Sequence, residues 1–221
     1  MFAVALSGDA LLGGQGSEEI REPGAAARST LYGCLARLFL GGPDGPPDAL
    51  DDDRLTARIQ EASGDLPYPF EISGPPAAPH PRQSRDAELA RLVAPGASEV
   101  PIIEARAHLD DQVVREVEQY YAHFGLSVED PRDLPLDHLA TELAFMSEVT
   151  RREATAVGNR SLQVLRRAGW AFLGRHLTVW VPRMVEQIAE RQPDVFFEWT
   201  TDLLGRFVAA DADHVKGLVA G

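Results

Sequence analysis

The stretch Tyr120–Met146, YYAHFGLSVEDPRDLPLDHLATELAFM, carries the clearest signals for the fold of this chain. An apolar helix is predicted to end at Gly125, because glycine readily adopts the left-handed conformation that closes a last helical turn. A polar loop that contains Pro135 follows. A second helix is then predicted over residues 136–157, and its first turn carries Asp137, a carboxylate that suits the positive end of a helix dipole.

The distribution of proline separates the chain into two parts. Six prolines lie from Pro67 to Pro81, whereas none lies between Pro135 and Pro182. Because proline breaks the interior of a helix, we expect helices separated by loops in the first part and long helices in the second. We expect Pro182 to open a helix rather than to lie inside one, since proline is tolerated in a first turn.

Apolar residues at helical spacing recur along most of the chain. They predict further helices over residues 25–40, 48–62, 84–93, 111–124, 161–177 and 195–210. No run of alternating apolar and polar residues typical of strands occurs. The fold class is therefore predicted to be all-α, with a single helical-bundle domain that has a Pro-rich loop in its N-terminal half.

The same pattern sets the predicted domain boundaries. We expect a flexible N-terminal tail over residues 1–24, a helical domain over 25–210 that includes a Pro-rich loop at 63–82, and a C-terminal tail over 211–221. A loop of this length in a compact domain is unusual. Tyr68, Phe70 and Ile72 are expected to hold part of it against the domain.

The composition narrows the possible partners and compartments. The chain has 221 residues, of which 44% are hydrophobic, and its net charge of −13 argues against nucleic-acid binding, which needs clustered positive charge. Such a charge suits a protein that receives a basic partner. The single cysteine, Cys34, is expected to be a core residue. The N-terminus resembles neither a secretory signal nor a membrane span, so we expect a cytoplasmic protein without stable membrane insertion.

His138 and Glu142 are the main candidates for chemistry. On a helix they lie four residues apart and share a face. An imidazole beside a carboxylate suits a general base or two ligands of a metal site. The sequence has no HExxH motif and no evident third ligand, so a helical metal-dependent enzyme is the alternative hypothesis. Two further interpretations are a structural His–Glu pair and a polar anchor that lines a groove for a partner peptide.

Motifs of the common enzyme classes are absent from the sequence. It contains no GxSxG, no P-loop and no GxGxxG following a predicted strand. We therefore predict a helical binding module that is not an enzyme and that has no catalytic residue, metal ligand or cofactor. His176, one turn before Trp180, is expected to be a hydrogen-bonded core residue.

The stretch at 120–146 resembles the TorD/DmsD/NarJ family of maturation chaperones for molybdopterin-containing redox enzymes. The family pattern is a Tyr-rich helix ending in Gly-Leu, a Pro-containing loop, and Pro-x-Asp-His-Leu followed by Glu-Leu-x-Phe-Met. The matching positions are Tyr120, Gly125, Leu126, Pro135, Asp137, His138, Leu139, Glu142, Leu143, Phe145 and Met146.

A second similarity to the family lies at residues 86–105. Glu88, Arg91, Leu92 and Glu104 match its Glu-Tyr-x-Arg-Leu-Phe pattern and the following Pro-x-x-Glu step. Leu89 and Val93 stand where the family has aromatic residues. This segment is most similar to the branch that serves dimethyl sulfide dehydrogenase, selenate reductase and similar enzymes.

The resemblance implies an all-helical cytoplasmic chaperone that binds the apo catalytic subunit of a molybdopterin oxidoreductase, often through its twin-arginine signal peptide. Such a chaperone assists cofactor insertion and delays export. The family's peptide site lies at the Asp-His motif. The resemblance therefore implies that the residues that bind the partner or its signal peptide are Pro135, Asp137, His138, Leu139 and Glu142. An unrelated protein-binding scaffold is a further alternative.

A twin-arginine peptide offers two positive charges and an apolar segment. Two exposed ion pairs contribute at most about 2 kcal/mol, whereas micromolar affinity corresponds to about −8 kcal/mol. Most of the binding free energy must then come from the burial of apolar surface. We therefore expect an apolar groove that is rimmed by acidic side chains.

Overall fold

A computed structural model gives the structure of this chain. It describes residues 24–40, 52–74, 82–93, 100–108, 110–127 and 134–221, so the predicted tail over 1–24 lies outside the described residues except for Gly24. Within these ranges the helices are α1 Ala25–Leu38, α2 Asp52–Gly64, α3 Arg82–Leu92, α4 Glu104–His108, α5 Gln112–His123, α6 Leu139–Ala154, α7 Asn159–Arg175, α8 Leu177–Glu190 and α9 Val195–Ala220. The only strand-like pairing in this part of the chain is a single bridge between Ile103 and His138. The predicted all-α fold class is therefore confirmed.

Helix α1 makes its most extensive helix contact with α6, while α7 and α8 pack on α9. The α1–α6 approach is close at Gly33, where an added Cβ would lie 3.1 Å from the hydroxyl oxygen of Ser147. Ser29 and Ser147 each donate a hydroxyl hydrogen bond to the other's carbonyl oxygen, both at 2.8 Å. Cys34 is 3% exposed, which confirms its prediction as a core residue.

Helix α9 is longer than the sequence pattern predicts. It continues past residue 210 to Ala220. The extension follows from buried side chains four residues apart, since Phe207, Asp211 and Val215 are all fully buried on one face. The buried polar member, Asp211, interrupts the apolar pattern on which the prediction depended. None of the described helices is long and apolar enough to cross a membrane.

Pro182 lies inside α8, so the prediction that it opens a helix is wrong. Helices α7 and α8 meet directly at His176, whose φ of −117° and ψ of −91° break the helical path. The new helix therefore begins before Pro182. Proline in a helix interior costs about 3 kcal/mol. The buried neighbours Trp180 and Val181 offset this cost by packing in the core.

Residues 65–74 cross the bundle as an irregular segment, which we call the strap. The Tyr68 hydroxyl donates a hydrogen bond of 3.0 Å to Asp211, and Phe70 and Ile72 are partly buried against the core. The indole N–H of Trp199 donates to the carbonyl of Ser73 at 3.0 Å. The expected anchoring of the Pro-rich loop is thus confirmed for the strap, whereas residues 75–81 lie outside the described chain.

A buried ion cluster joins α1, α6 and α9. The guanidinium of Arg28, which is 1% exposed, donates to Asp211 at 2.5 and 3.2 Å and to Glu153 at 2.8 Å. The Tyr32 hydroxyl donates to Asp211 at 2.6 Å, and Arg166 on α7 lies 3.3 Å from Glu153. Burial opposes the charge on Arg28, but the two carboxylates raise its pKa above the ordinary value. Each charge in the cluster therefore depends on the others.

Replacement of Arg28 by methionine should lower the free energy of unfolding by about 3–5 kcal/mol, because it leaves Asp211 and Glu153 buried without their cation. Arg37→Met on the same helix is the matched control, and its effect should stay within about 0.5 kcal/mol. Urea unfolding followed by circular dichroism measures both changes. Equal effects of the two substitutions would contradict a structural role for the cluster.

Candidate functional site

The predicted end of the helix before the Pro-containing loop is confirmed. Gly125 has a φ of +63°, in the left-handed region, directly after α5. Its N–H donates to the carbonyl of Ala122 at 3.0 Å, and the N–H of Leu126 donates to Tyr121 at 2.9 Å. These two bonds form a Schellman motif, which satisfies the last carbonyls of a helix. The chain therefore leaves α5 at a fixed angle.

The loop returns to the same helix end. Residues 128–133 lie outside the described chain. The Tyr121 hydroxyl donates a hydrogen bond of 2.9 Å to the carbonyl of Leu136. The carbonyl of Pro135 accepts the N–H of His138 at 3.1 Å, which makes a turn before α6. One tyrosine of α5 thus anchors the entry to the next helix.

His138 is the N-cap of α6. Its Nδ1 accepts the N–H of Ala140 at 3.1 Å, and its backbone is extended, with φ of −74° and ψ of 138°. The helix therefore begins at Leu139, later than predicted, and Asp137 does not lie in its first turn. The bridge between His138 and Ile103 accounts for this shift, because it requires an extended backbone at that position.

Asp137 joins two segments that are distant in sequence. Its carboxylate accepts the N–H of Ala105 at 2.8 Å, and its carbonyl accepts the N–H of Glu104 at 2.9 Å. The N–H of Leu139 donates to the carbonyl of Ile102 at 2.9 Å. The first two bonds satisfy donors at the start of α4, and the third satisfies the N–H of Leu139 at the start of α6, where the helices themselves offer no acceptor. We call the unit formed by residues 102–105 and 135–142 the corner.

Two carboxyl groups of the corner are buried. Glu104 lies 2.8 Å from Nδ1 of His176, and Oε2 of Glu142 accepts the indole N–H of Trp180 at 3.2 Å. Burial, followed by the neighbouring Glu104, raises the pKa of Glu142 well above its ordinary value. The protonated form of Glu142 is therefore favoured, which reduces the repulsion between the two neighbouring carboxyl groups.

The structure gives the histidines roles that the sequence predicts only in part. His176 is buried, hydrogen-bonded to Glu104, and stacked 4.7 Å from the ring of Phe172, which confirms its prediction as a core residue. Among the described residues, Glu104 lies 2.8 Å from His176 and 3.6 Å from His108. His138 caps α6, and Glu142 accepts a hydrogen bond from the indole N–H of Trp180. In the sequence, Glu104 stands out only as the last residue of the Pro-x-x-Glu step. That motif does not indicate that Glu104 pairs with His176.

The five predicted binding residues lie in one unit but differ in exposure. Pro135 is exposed, whereas Asp137, His138, Leu139 and Glu142 are between 0% and 6% exposed. In the described part of the chain, no group of three or more His, Cys, Asp or Glu side chains is arranged to hold a metal ion. The buried four therefore shape the corner, and Pro135 is the member that a partner can touch.

A pocket of about 710 Å³ opens between α4 and α8 beside the corner. Its lining residues are Pro101, Arg106, Ala107, His108, Val179, Trp180, Arg183, Met184 and Gln187. No carboxylate lines it among the described residues, so this pocket differs from the expected groove rimmed by acids. The reason lies in the direction of the α4 side chains, since Glu104 is buried while Arg106 is exposed.

Comparison with known proteins finds a similar protein family and several similar proteins that are named as chaperones. The family described as "Nitrate reductase delta subunit" matches residues 102–186, which include the corner. The perchlorate reductase assembly chaperone protein of Dechloromonas aromatica (strain RCB) is 29% identical over 202 residues, covering 86% of this chain and 90% of that relative.

Two other relatives match over shorter stretches. The selenate reductase assembly chaperone protein of Thauera selenatis is 39% identical over 74 residues, which cover 33% of this chain and 38% of the relative. The chaperone protein TorD of Vibrio parahaemolyticus serotype O3:K6 (strain RIMD 2210633) is 26% identical over 109 residues, covering 49% and 51%.

The described residues form an all-helical fold, and the relatives of this chain are named as chaperones, two of them as assembly chaperones. The chain is similar to the TorD/NarJ family. Because the relatives are named as chaperones rather than as enzymes, the prediction that this protein is not an enzyme is supported.

Substitution of Asp137 by alanine tests the hydrogen bond between the Asp137 carboxylate and the backbone N–H of Ala105. It should lower the free energy of unfolding by about 1.5–3 kcal/mol, because the N–H of Ala105 loses its buried, charged acceptor. The matched control is Asp110→Ala, since Asp110 accepts the N–H of Gln112 at 2.8 Å but is exposed. Urea unfolding should show a clearly smaller loss for the control. A loss for Asp137→Ala no larger than that of the control would contradict this role.

Glu142→Gln tests the raised pKa of the buried carboxyl. Since the folded-state pKa of Glu142 is raised, the stability from its protonated form is fully present below the unfolded pKa and declines as pH rises toward the folded-state pKa. Glutamine cannot ionise, so this variant should gain stability relative to the wild type as pH rises above the unfolded pKa, by at most about 1.4 kcal/mol per pH unit. Chemical unfolding at several pH values measures the difference.

Glu148→Gln on the same helix is the control for that titration. Burial opposes ionisation of Glu148, but hydrogen bonds from Arg151 and Arg152 lower its pKa. Its contribution is therefore present above the unfolded pKa and lost as pH falls, so this substitution should change the pH dependence in the opposite sense. The same sign for both variants would contradict the assignment of Glu142.

Proposed function

We propose that this protein is a cytoplasmic chaperone that binds the apo catalytic subunit of a molybdopterin oxidoreductase and holds it until the cofactor is inserted. The main support is the similarity to an assembly chaperone for perchlorate reductase over 86% of the chain. The corner at the Asp-His motif gives the proposal a location. The branch that serves dimethyl sulfide dehydrogenase-like enzymes remains a prediction from the sequence.

We further propose that the corner is where the client, including a twin-arginine signal peptide, is bound. Pro135 is the exposed member of the five predicted residues. The other four predicted residues are buried and do not contact the client directly. They hold the turn that exposes Pro135 in place, and they are Asp137, His138, Leu139 and Glu142. The net charge of −13 attracts a basic peptide over long range, and contact with apolar surface supplies most of the affinity.

The direct test is co-purification with the catalytic subunit of a molybdopterin oxidoreductase from the same organism. The wild-type protein should retain the apo subunit and release the cofactor-loaded one, because the loaded subunit has completed the step that the chaperone protects. Failure of both the apo subunit and its isolated signal peptide to bind at about 10⁻⁵ M would contradict the proposal.

Pro135→Glu should weaken binding of the apo subunit by about tenfold or more, because it places a charge in the contact surface without removing a core side chain. Val195→Glu is the matched control, since Val195 is 65% exposed at the start of another helix. Surface-immobilised chaperone and soluble apo subunit give both dissociation constants. Equal affinities for the two variants would place the contact elsewhere.

A further inference from the structure

Helix α7 is basic, although the chain as a whole is acidic. The protein has 34 Asp and Glu residues against 21 Lys and Arg residues, yet no acidic residue occurs between Glu153 and Glu186. Helix α7 lies within this interval and carries four arginines. Because the helix has no carboxylate of its own, no pair three or four residues apart can neutralise these arginines. Their charge is balanced either by other helices or by a partner.

One face of α7 is exposed and combines basic with apolar side chains. The exposed residues Arg160, Val164, Arg167 and Trp170 follow one another at spacings of three or four, so they form one stripe on the helix. We call these four residues the α7 stripe, and it is about 15 Å long. Val164 is 48% exposed and Trp170 is 42% exposed. The buried residues of the helix are Leu162, Leu165, Gly169, Phe172 and Leu173.

The two arginines of the stripe are not used within the described part of the chain. Neither Arg160 nor Arg167 forms an ion pair or a side-chain hydrogen bond with a described residue. Arg166, which lies outside the stripe, is 3.3 Å from the buried Glu153. Arg160 also lies in the first turn of α7, where the helix dipole disfavours a positive charge. The guanidinium groups of the stripe are therefore available to an anionic partner.

Trp170 adds a large apolar contact between these charges. It is the one exposed Phe, Tyr or Trp side chain among the described residues. An added Cβ at Gly174, one turn further along the same face, would meet no atom within 4 Å, so the surface beside the indole is open. Tryptophan and arginine are the residues that most often carry binding energy at protein interfaces. The stripe thus has the composition of a contact surface for another polypeptide.

We propose that the α7 stripe binds an acidic segment of the client polypeptide, in which Asp or Glu side chains lie beside apolar ones. This proposal rests on the chaperone function proposed above. The client carboxylates accept hydrogen bonds from the guanidinium groups of Arg160 and Arg167, and an apolar client side chain packs on Trp170. The segment is distinct from the twin-arginine signal peptide, because the arginines of the stripe repel that peptide.

The charge of the chain and the place of α7 favour a client segment over other anions. Nucleic acid needs more clustered positive charge, and a basic membrane-binding cluster has about four to eight such residues, whereas the stripe has two. A second copy of this chain carries the same net charge of −13 and is repelled over long range. The end of α7 adjoins the corner, since His176 directly follows the helix and lies 2.8 Å from Glu104. A client at the corner therefore brings its own neighbouring segments near the stripe.

Charge reversal within the stripe tests the proposal. Arg167→Glu in the full chain should raise the dissociation constant for the apo catalytic subunit about tenfold or more, because a carboxylate then faces the acidic client segment. Arg58→Glu is the matched control, since Arg58 is exposed on α2 and its reversal changes the net charge equally. It should leave this dissociation constant unchanged. Neither variant should weaken binding of the isolated signal peptide, and both should keep the helical circular dichroism of the wild type.

Photo-crosslinking identifies the client segment. A benzophenone amino acid replaces Val164 in the full chain, which is co-expressed with the apo catalytic subunit, and mass spectrometry identifies the crosslinked peptide. We expect one client segment that contains several Asp or Glu residues beside apolar ones. Replacement of its acidic residues by lysine should restore tight binding to Arg167→Glu and weaken binding to the wild type.

Other results would overturn the assignment of the stripe while the chaperone function stands. They are equal affinities of Arg167→Glu and Arg58→Glu for the apo subunit, a crosslink to the signal peptide or to a second copy of this chain, and no crosslink in a complex that still forms. Binding of an oligonucleotide or of anionic lipid vesicles that depends on Arg167, without a client crosslink, would also overturn it. If the wild type binds neither the apo subunit nor the signal peptide, the chaperone function fails and the stripe proposal fails with it.

Discussion

The corner depends on one buried carboxylate that joins two distant segments. Asp137 accepts the backbone N–H of Ala105 across a separation of 32 residues, and its carbonyl accepts Glu104. Without these two hydrogen bonds, the backbone N–H groups in the first turn of α4 would have no acceptor. The position of α4 matters because this helix forms one wall of the pocket. The Asp-His motif is thus explained by backbone geometry. Asp137 sets where α4 begins, and His138 sets where α6 begins.

Several acidic side chains of this acidic protein are buried. Asp211 and Glu153 are buried with Arg28, and Glu104 and Glu142 are buried in the corner. Carboxylates turned inward are paired or protonated, since an isolated buried charge is too costly.

The sequence predicted the features that local chemistry decides. Gly125 closes α5 as expected, because the left-handed residue after an apolar helix is a property of a few neighbouring positions. The partners of Glu104 and Asp137 could not be predicted, because they depend on contacts between residues 72 and 32 positions apart. Pro182 lies inside a helix for the same reason: burial of its neighbours outweighed the local preference.

The most direct measurement of the central claim is hydrogen–deuterium exchange of the full chain with and without the apo catalytic subunit. The corner and its pocket should gain protection together, at residues 101–108, 135–142 and 179–187, while the strap keeps the exchange rate of the free protein. Protection confined to other surfaces, with unchanged exchange in these three segments, would contradict the claim that the corner is where the client binds.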